Sequence, residues 1–203
     1  MLDKPDDQVV WHHATVTRER RQKQNNHRSA ILWFTGLSGA GKSTLAHAVE
    51  EKLYLAGCRT YVLDGDNVRH GLNYDLGFSP EDRSENLRRI GEVGKLMVDA
   101  GILTLAAFIS PMREEREKIR SLFQHGDFLE IYCGADLEIC EKRDPKGMYK
   151  RARTGQIPDF TGVSAPYEPP VNPDLEINTG EISLEDSTNK VLCLLKERSI
   201  LPD

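Results

Sequence analysis

Gly36-Leu37-Ser38-Gly39-Ala40-Gly41-Lys42-Ser43 fits the spacing G-x-x-x-x-G-K-[ST], and Thr44 follows it. Before it, residues 30–35 form a compact apolar run that suits a buried strand. After it, Leu45, Ala46, Val49 and Leu53 recur at helical spacing as far as Gly57, a C-terminal stop. A glycine-rich turn between a strand and a helix is where a phosphate-binding loop has to lie. Glycines let the backbone wrap closely around phosphate, and the loop N–H groups together with the helix N-terminus stabilise its negative charge. In this reading residues Gly36 to Thr44 hold the phosphates of ATP, Lys42 reaches the β- and γ-phosphates, and the Ser43 hydroxyl ligates Mg²⁺.

Outward from the loop, the same alternation repeats. Residues 60–63 read as a strand. Ser79-Pro80-Glu81-Asp82 carries the cap, N1 proline and first-turn acids of a helix start, and Gly101 closes that helix. Strands at 102–109 and 128–133, helices at 113–123 and 136–142, and a last strand and helix at 175–178 and 184–196 complete the pattern. Strands separated by helices predict an α/β fold, a P-loop NTPase-type parallel sheet flanked by helices. Residues 144–173 break the rhythm with repeated proline and glycine, and they begin in a cationic run: Lys146, Lys150, Arg151 and Arg153, just after Lys142 and Arg143. So long a stretch reads as a loop that closes over a ligand, a basic lid suited to polyphosphate. Residues 1–28, basic and poor in apolar side chains near their end, read as an N-terminal arm or exposed helix outside a kinase domain spanning 29–203.

Bulk properties narrow the class. With 203 residues and a net charge of −5, the chain is sized for one domain and lacks the overall positive charge that nucleic-acid binding uses. No run approaches the ~20 apolar residues of a membrane span, and the acidic start does not resemble a signal peptide, so the expectation is a cytoplasmic protein with no membrane or nucleic-acid partner. The four cysteines, Cys58, Cys133, Cys140 and Cys193, are spaced as free thiols rather than metal ligands.

A phosphate loop alone does not separate a GTPase, a motor and a metabolite kinase. No N-K-x-D guanine motif is present, because Asn189-Lys190 is followed by Val191-Leu192. A small kinase is favoured, with an ATP-binding subunit without turnover as the alternative from another class. Asp64 and Asp66 fall at the carboxyl end of the second strand, where open α/β sheets bind ligands, and suit a metal ligand and a base for the attacking hydroxyl. A turn that merely caps the next helix is the competing reading of that pair. Ser110 ends the third strand at the same edge, and Ser110-Pro111 can also be read as a helix cap. Arg69, Arg83, Arg88 and Arg89 offer guanidinium groups for an anionic acceptor.

Taken together, the loop, Asp64-Gly65-Asp66-Asn67-Val68-Arg69-His70-Gly71-Leu72, Gly77-Phe78-Ser79, Asp82-Arg83 and Glu85-Asn86 resemble the adenylyl-sulfate kinase family. Phe108-Ile109-Ser110-Pro111, Arg143-Asp144-Pro145-Lys146-Gly147, Phe160-Thr161-Gly162, Tyr167-Glu168 and Leu175-Glu176-Ile177-Asn178-Thr179 continue the resemblance in order, from about Val10 to the C-terminus. Met148, Arg151 and Val163 depart from the leucine, lysine and isoleucine usual there. The resemblance implies transfer of the ATP γ-phosphate to the 3′-hydroxyl of adenylyl sulfate, with Mg²⁺ required, in a homodimer. It implies that Asp66, Arg69, Phe78, Arg83, Asn86, Ile109, Ser110, Lys146 and Phe160 surround adenylyl sulfate, and that Ser110 is a phosphoserine intermediate. The residues themselves favour direct in-line transfer, with Asp66 as base, Lys42 on the phosphates, Asp64 with Ser43 at the metal, and Ser110 as an acceptor contact. Phe78 and Phe160 are expected to sandwich the adenine.

Overall fold

A computed structural model describes residue 10 and residues 12–202. Its strands are β1 (Ala30–Thr35), β2 (Thr60–Asp64), β3 (Leu103–Ala107), β4 (Phe128–Cys133) and β5 (Leu175–Ile177). They form one parallel sheet in the order β2-β3-β1-β4-β5. Its helices are α1 (Arg18–Asn25), α2 (Lys42–Leu55), α3 (Pro80–Asp99), α4 (Arg113–Arg120), α5 (Leu137–Arg143), α6 (Met148–Arg153) and α7 (Leu184–Glu197), with a short 3₁₀ turn at Asn67–His70.

The central strand shows why the sequence folds this way. All six residues of β1 are buried, and alternate side chains feed two cores. Leu32 and Phe34 join Leu45, Val49, Leu53 and Val191 of α2 and α7 on one face, whereas Ile31 and Trp33 join Ile90, Ile119 and Phe128 on the other. With β3 on one side of β1 and β4 on the other, the chain reverses direction across the sheet at β1. The loop after β1 therefore opens at the carboxyl edge, at the switch point where such sheets take ligands.

Two segments differ from expectation. The stretch 144–173 contains a helix, α6, which buries Tyr149 and Ala152 and starts at Gly147 in the left-handed conformation. One turn bearing two inward side chains is too short to leave a periodic signal in sequence. The end of the arm is the exposed-helix alternative: α1 buries no residue, yet it is docked at the opposite edge of the sheet. Arg18 pairs with buried Asp127 and donates to Ser29 O at 2.8 Å, and Asn25 Nδ2 donates to Gly101 O at 2.9 Å. Residues 1–9 and 11 of the expected arm lie outside the described residues.

Candidate active site

The loop between β1 and α2 is held from outside, carbonyl by carbonyl. Lys42 Nζ donates to Gly36 O and Leu37 O at 3.0 and 2.7 Å. Tyr149 Oη donates to Ser38 O at 2.9 Å, Arg143 Nη1 to Gly39 O at 3.2 Å, and Thr179 Oγ1 to Ala40 O at 2.6 Å. Five successive carbonyls are thus occupied, and apart from the Ala40 N–H, which donates to Leu37 O at 3.1 Å, the loop N–H groups are left as its unspent polarity. Gly36 is required by close approach, since a Cβ there would sit 2.5 Å from Cys133 O. Gly41, at φ +84°, is the N-cap of α2 and brings no side chain to occupy the helix's free N–H groups. Ser43 and Thr44 are exposed on the first turn.

Lys42 is buried in this arrangement, and burial pulls its pKa down to about 8 against the partial support of the Asp64 carboxylate. The like charge of Lys146 adds a last, smaller lowering. Cys133, beneath the loop, is itself pushed up to about 12 by burial and stays a thiol. All four cysteines are free.

At the end of β2, the buried Asp64 carboxylate accepts the Asp66 N–H at 2.9 Å through Oδ1. Asp66 occupies the N-cap position of the 3₁₀ turn but makes no side-chain cap there, so the capping reading of this pair does not hold. Its carboxylate projects to the surface and pairs with Lys146 of the lid. The hydroxyl of Ser43 and the carboxylate of Asp64 are hard oxygen donors. They fit Mg²⁺, which is usually held by one or two protein oxygens plus substrate phosphates.

The acceptor side is more loosely arranged. Arg69 Nη1 donates to Leu76 O and Gly77 O at 3.0 and 2.9 Å, with its guanidinium 4.5 Å from the centre of the exposed Phe78 ring. Desolvation and then the nearby positive charge of Arg83 lower the Arg69 pKa, so the two guanidiniums lie within electrostatic reach of each other. Arg83 spans Phe78 and the lid, donating to Phe78 O at 2.9 Å, Asp159 O at 2.8 Å and Thr161 Oγ1 at 3.3 Å. Asn86 is buried, with its Oδ1 accepting from Asn73 Nδ2 at 2.9 Å. Phe160 is buried edge-on against Tyr149, their ring centres 5.0 Å apart. In this conformation Phe78 and Phe160 are linked through Arg83 but occupied by different partners.

Ser110 is not a helix cap, since Met112 precedes α4. The Ser110 hydroxyl turns inward, accepting from Trp33 Nε1 and donating to Thr35 Oγ1, both at 3.0 Å. Thr35 Oγ1 in turn donates to Ile109 O at 2.7 Å, which directs the Tyr167 hydroxyl proton toward it at 2.9 Å. Sequence reasoning did not assign Thr35, Tyr149 or Tyr167 to the site. Arg143 was seen only as a cation beside the lid and Thr179 only within a family motif, because their contacts join segments more than 100 residues from the loop in one case and nearly 140 in the other.

A phosphate loop that opens a helix, with carboxylates at the next strand edge and a cationic acceptor side, defines a P-loop kinase. The family model for adenylylsulphate kinase matches residues 28–178, and the chain belongs to that family. Adenylyl-sulfate kinase from Acaryochloris marina is 63% identical over 193 residues, 95% of this chain and 94% of the relative. Among solved structures, the Mycobacterium tuberculosis APS kinase in complex with AMPPNP and APS superposes with a TM-score of 0.79. It is 48% identical, over 84% of this chain and 99% of that one. A hexameric APS kinase from Thiobacillus denitrificans, 29% identical with a TM-score of 0.67, covers 91% of this chain, which spans 32% of that longer one.

Proposed function

We propose that the chain transfers the γ-phosphate of ATP to the 3′-hydroxyl of adenylyl sulfate, giving ADP and 3′-phosphoadenylyl sulfate, a step of sulfate assimilation. The observation that supports this reading is a carbonyl-anchored phosphate loop in a chain of this family, accompanied by the neighbouring Arg69 and Arg83 guanidiniums. ATP binds with its phosphates on the N–H groups of Gly36 to Thr44 and Lys42. Ser43 and Asp64 would hold Mg²⁺, which neutralises charge on the transferring phosphoryl group when bound.

On the acceptor side, Arg69 and Arg83 exchange their carbonyl partners for the phosphosulfate anion, and Asn86, Phe78, Phe160 and Ile109 receive the nucleoside. Lys146 is drawn from Asp66 by the same negative charge, freeing that carboxylate to take the proton of the attacking 3′-hydroxyl. The hydroxyl oxygen bonds to the γ-phosphorus as the bond to the β-bridging oxygen breaks, and ADP leaves. Ser110 acts as an acceptor contact in this scheme, and its 2% exposure and paired hydroxyl favour that role over a phosphoserine.

The reading treats residues 1–28 as an arm, 29–203 as the kinase domain and 144–173 as its lid, in a cytoplasmic homodimer without nucleic-acid or membrane partners. Among the described residues no helix is long and apolar enough to cross a membrane. Light scattering checks the dimer, with a hexamer as the contrary result. The deciding assay is ADP release with Mg-ATP across adenylyl sulfate, nucleosides, nucleotides and sugar acids. A response to adenylyl sulfate with a 3′-phosphorylated product supports the proposal; a response to another acceptor keeps the kinase and removes this substrate.

A further inference from the structure

Behind the acceptor edge, α4 buries an arginine that the chemistry above does not use. Arg116 is 2% exposed, and its guanidinium is shared among three partners in different directions. Nε donates to Glu130 Oε1 of β4 at 2.7 Å, Nη1 to Ser110 O at 2.6 Å, and Nη2 to Glu168 O at 2.8 Å. A buried ion pair is weak evidence of stabilisation, because removing both charges from water offsets their attraction. The two carbonyls are more informative about what the pair does.

Ser110 has φ +40°, a left-handed conformation that costs a non-glycine residue about 1–3 kcal/mol and persists only where its surroundings enforce it. Trp33 and Thr35 hold its hydroxyl; Arg116 holds its carbonyl. The other carbonyl, Glu168 O, belongs to the segment by which the lid returns to the sheet. There Glu168 N donates to Pro111 O at 2.9 Å, Glu168 Oε2 accepts the Arg113 N–H at 2.9 Å, and Tyr167 reaches the same Thr35 hydroxyl that Ser110 does. One guanidinium therefore ties together the acceptor edge and the fixed end of the lid.

We infer that Arg116 is a positioning residue that sets Ser110 against the acceptor and anchors the returning lid segment to the same point, so that lid closure and acceptor alignment share one reference. Lysine cannot replace it, since a single ammonium does not span three diverging acceptors as a planar fork does. This inference rests on the adenylyl-sulfate reading for its kinetic test but not for its spectroscopic one.

Two variants test it: Arg116→Lys, which keeps the charge beside Glu130, and Arg116→Leu/Glu130→Leu, which replaces the buried pair by apolar groups should the first not fold. Arg120, which also approaches Glu130, keeps Asp174 as a partner in the second. In either folded variant, kcat/KM for adenylyl sulfate is expected to fall roughly tenfold to a hundredfold through misplacement of the acceptor. The calorimetric Kd for ATP should stay within about twofold, because Arg116 touches neither the phosphate-loop carbonyls nor the side chains that hold them. The Trp33 indole N–H resonance, assigned in a Trp11→Phe background, should move in Arg116→Lys as Ser110 shifts; in the double variant it is compared with Glu130→Leu alone, because Glu130 lies beside Trp33 on the neighbouring strand. A lower melting temperature, with constants per folded enzyme and the indole resonance unchanged, overturns the inference and leaves Arg116 a structural residue only. If wild type ignores adenylyl sulfate while the indole resonance still moves in the variants, the substrate reading falls and the positioning inference stands.

Discussion

The donor and acceptor halves of the site are built in opposite ways. Around the phosphate loop, five consecutive carbonyls are fixed by Lys42, Tyr149, Arg143 and Thr179, side chains drawn from α2, α6, α5 and the segment after β5. On the acceptor side, the charged groups lean on one another or on nearby backbone: Arg69 on Leu76 O and Gly77 O, Arg83 on Phe78 O and Asp159 O, Lys146 on Asp66. The first arrangement meets ATP preorganised. In the proposed function, the second holds its charges in substitute contacts that an anionic substrate would replace, so that substrate binding itself would assemble the catalytic geometry.

If that contrast is right, the largest loss comes from the donor side. Lys42→Ala removes both the phosphate contact and the tether on Gly36 O and Leu37 O, and turnover measured by ADP release should drop by at least roughly a thousandfold, with weaker ATP binding in calorimetry. Asp66→Asn comes next, with kcat reduced about a hundredfold to ten-thousandfold while the Kd for adenylyl sulfate changes little. Near-normal turnover in that variant would remove Asp66 as the base and make the Lys146 pair a structural contact. Ser110→Ala has a smaller effect: a contact predicts an enzyme slowed about tenfold to a hundredfold, whereas an obligatory phosphoserine predicts none. A rapid-quench search for labelled enzyme with γ-labelled ATP separates the two directly.

The two halves were also unequally legible in the sequence. The loop was readable because its chemistry is contiguous: glycines, lysine and serine follow one another between an apolar strand and an amphipathic helix. Asp64 and Asp66 were legible by position, at the end of a strand in a sheet whose parallel character followed from alternation. What remained hidden was whatever depends on distant segments meeting. Arg116 is one charge among several on its helix, and the one signal that could have singled it out is Glu130, an acid inside the otherwise apolar run Phe128–Cys133 that needs a buried cation nearby. The inward turn of Ser110 was equally invisible, because Ser-Pro before a helix reads as a cap and only the indole of Trp33 and the hydroxyl of Thr35 show otherwise. Phe160 carries no local mark of being packed against Tyr149 rather than standing open.

The mildest test leaves the chain unmutated and uses pH to probe the donor side. Burial lowers the pKa of Lys42 to about 8 from an ordinary value of 10.5. Below that pH the folded protein carries a buried charge at a cost on the order of 3 kcal/mol. Between about pH 8 and 10.5 the unfolded chain holds more protons at this site than the folded one. Linkage then makes this group's contribution to the stability of the ligand-free protein rise with pH, a term missing in Lys42→Ala. ATP reverses the balance, because its phosphates surround Lys42 with negative charge and raise its pKa in the complex. ATP affinity should therefore be level below about pH 8 and weaken above it by up to about tenfold per unit, with one proton taken up per ATP bound. Calorimetry in buffers of different ionisation enthalpy reads that proton, and the uptake should vanish in Lys42→Ala. A flat affinity through pH 9.5, without proton uptake, would mean that Lys42 leaves its carbonyls and regains water before ATP arrives. The donor half would then be as provisional as the acceptor half.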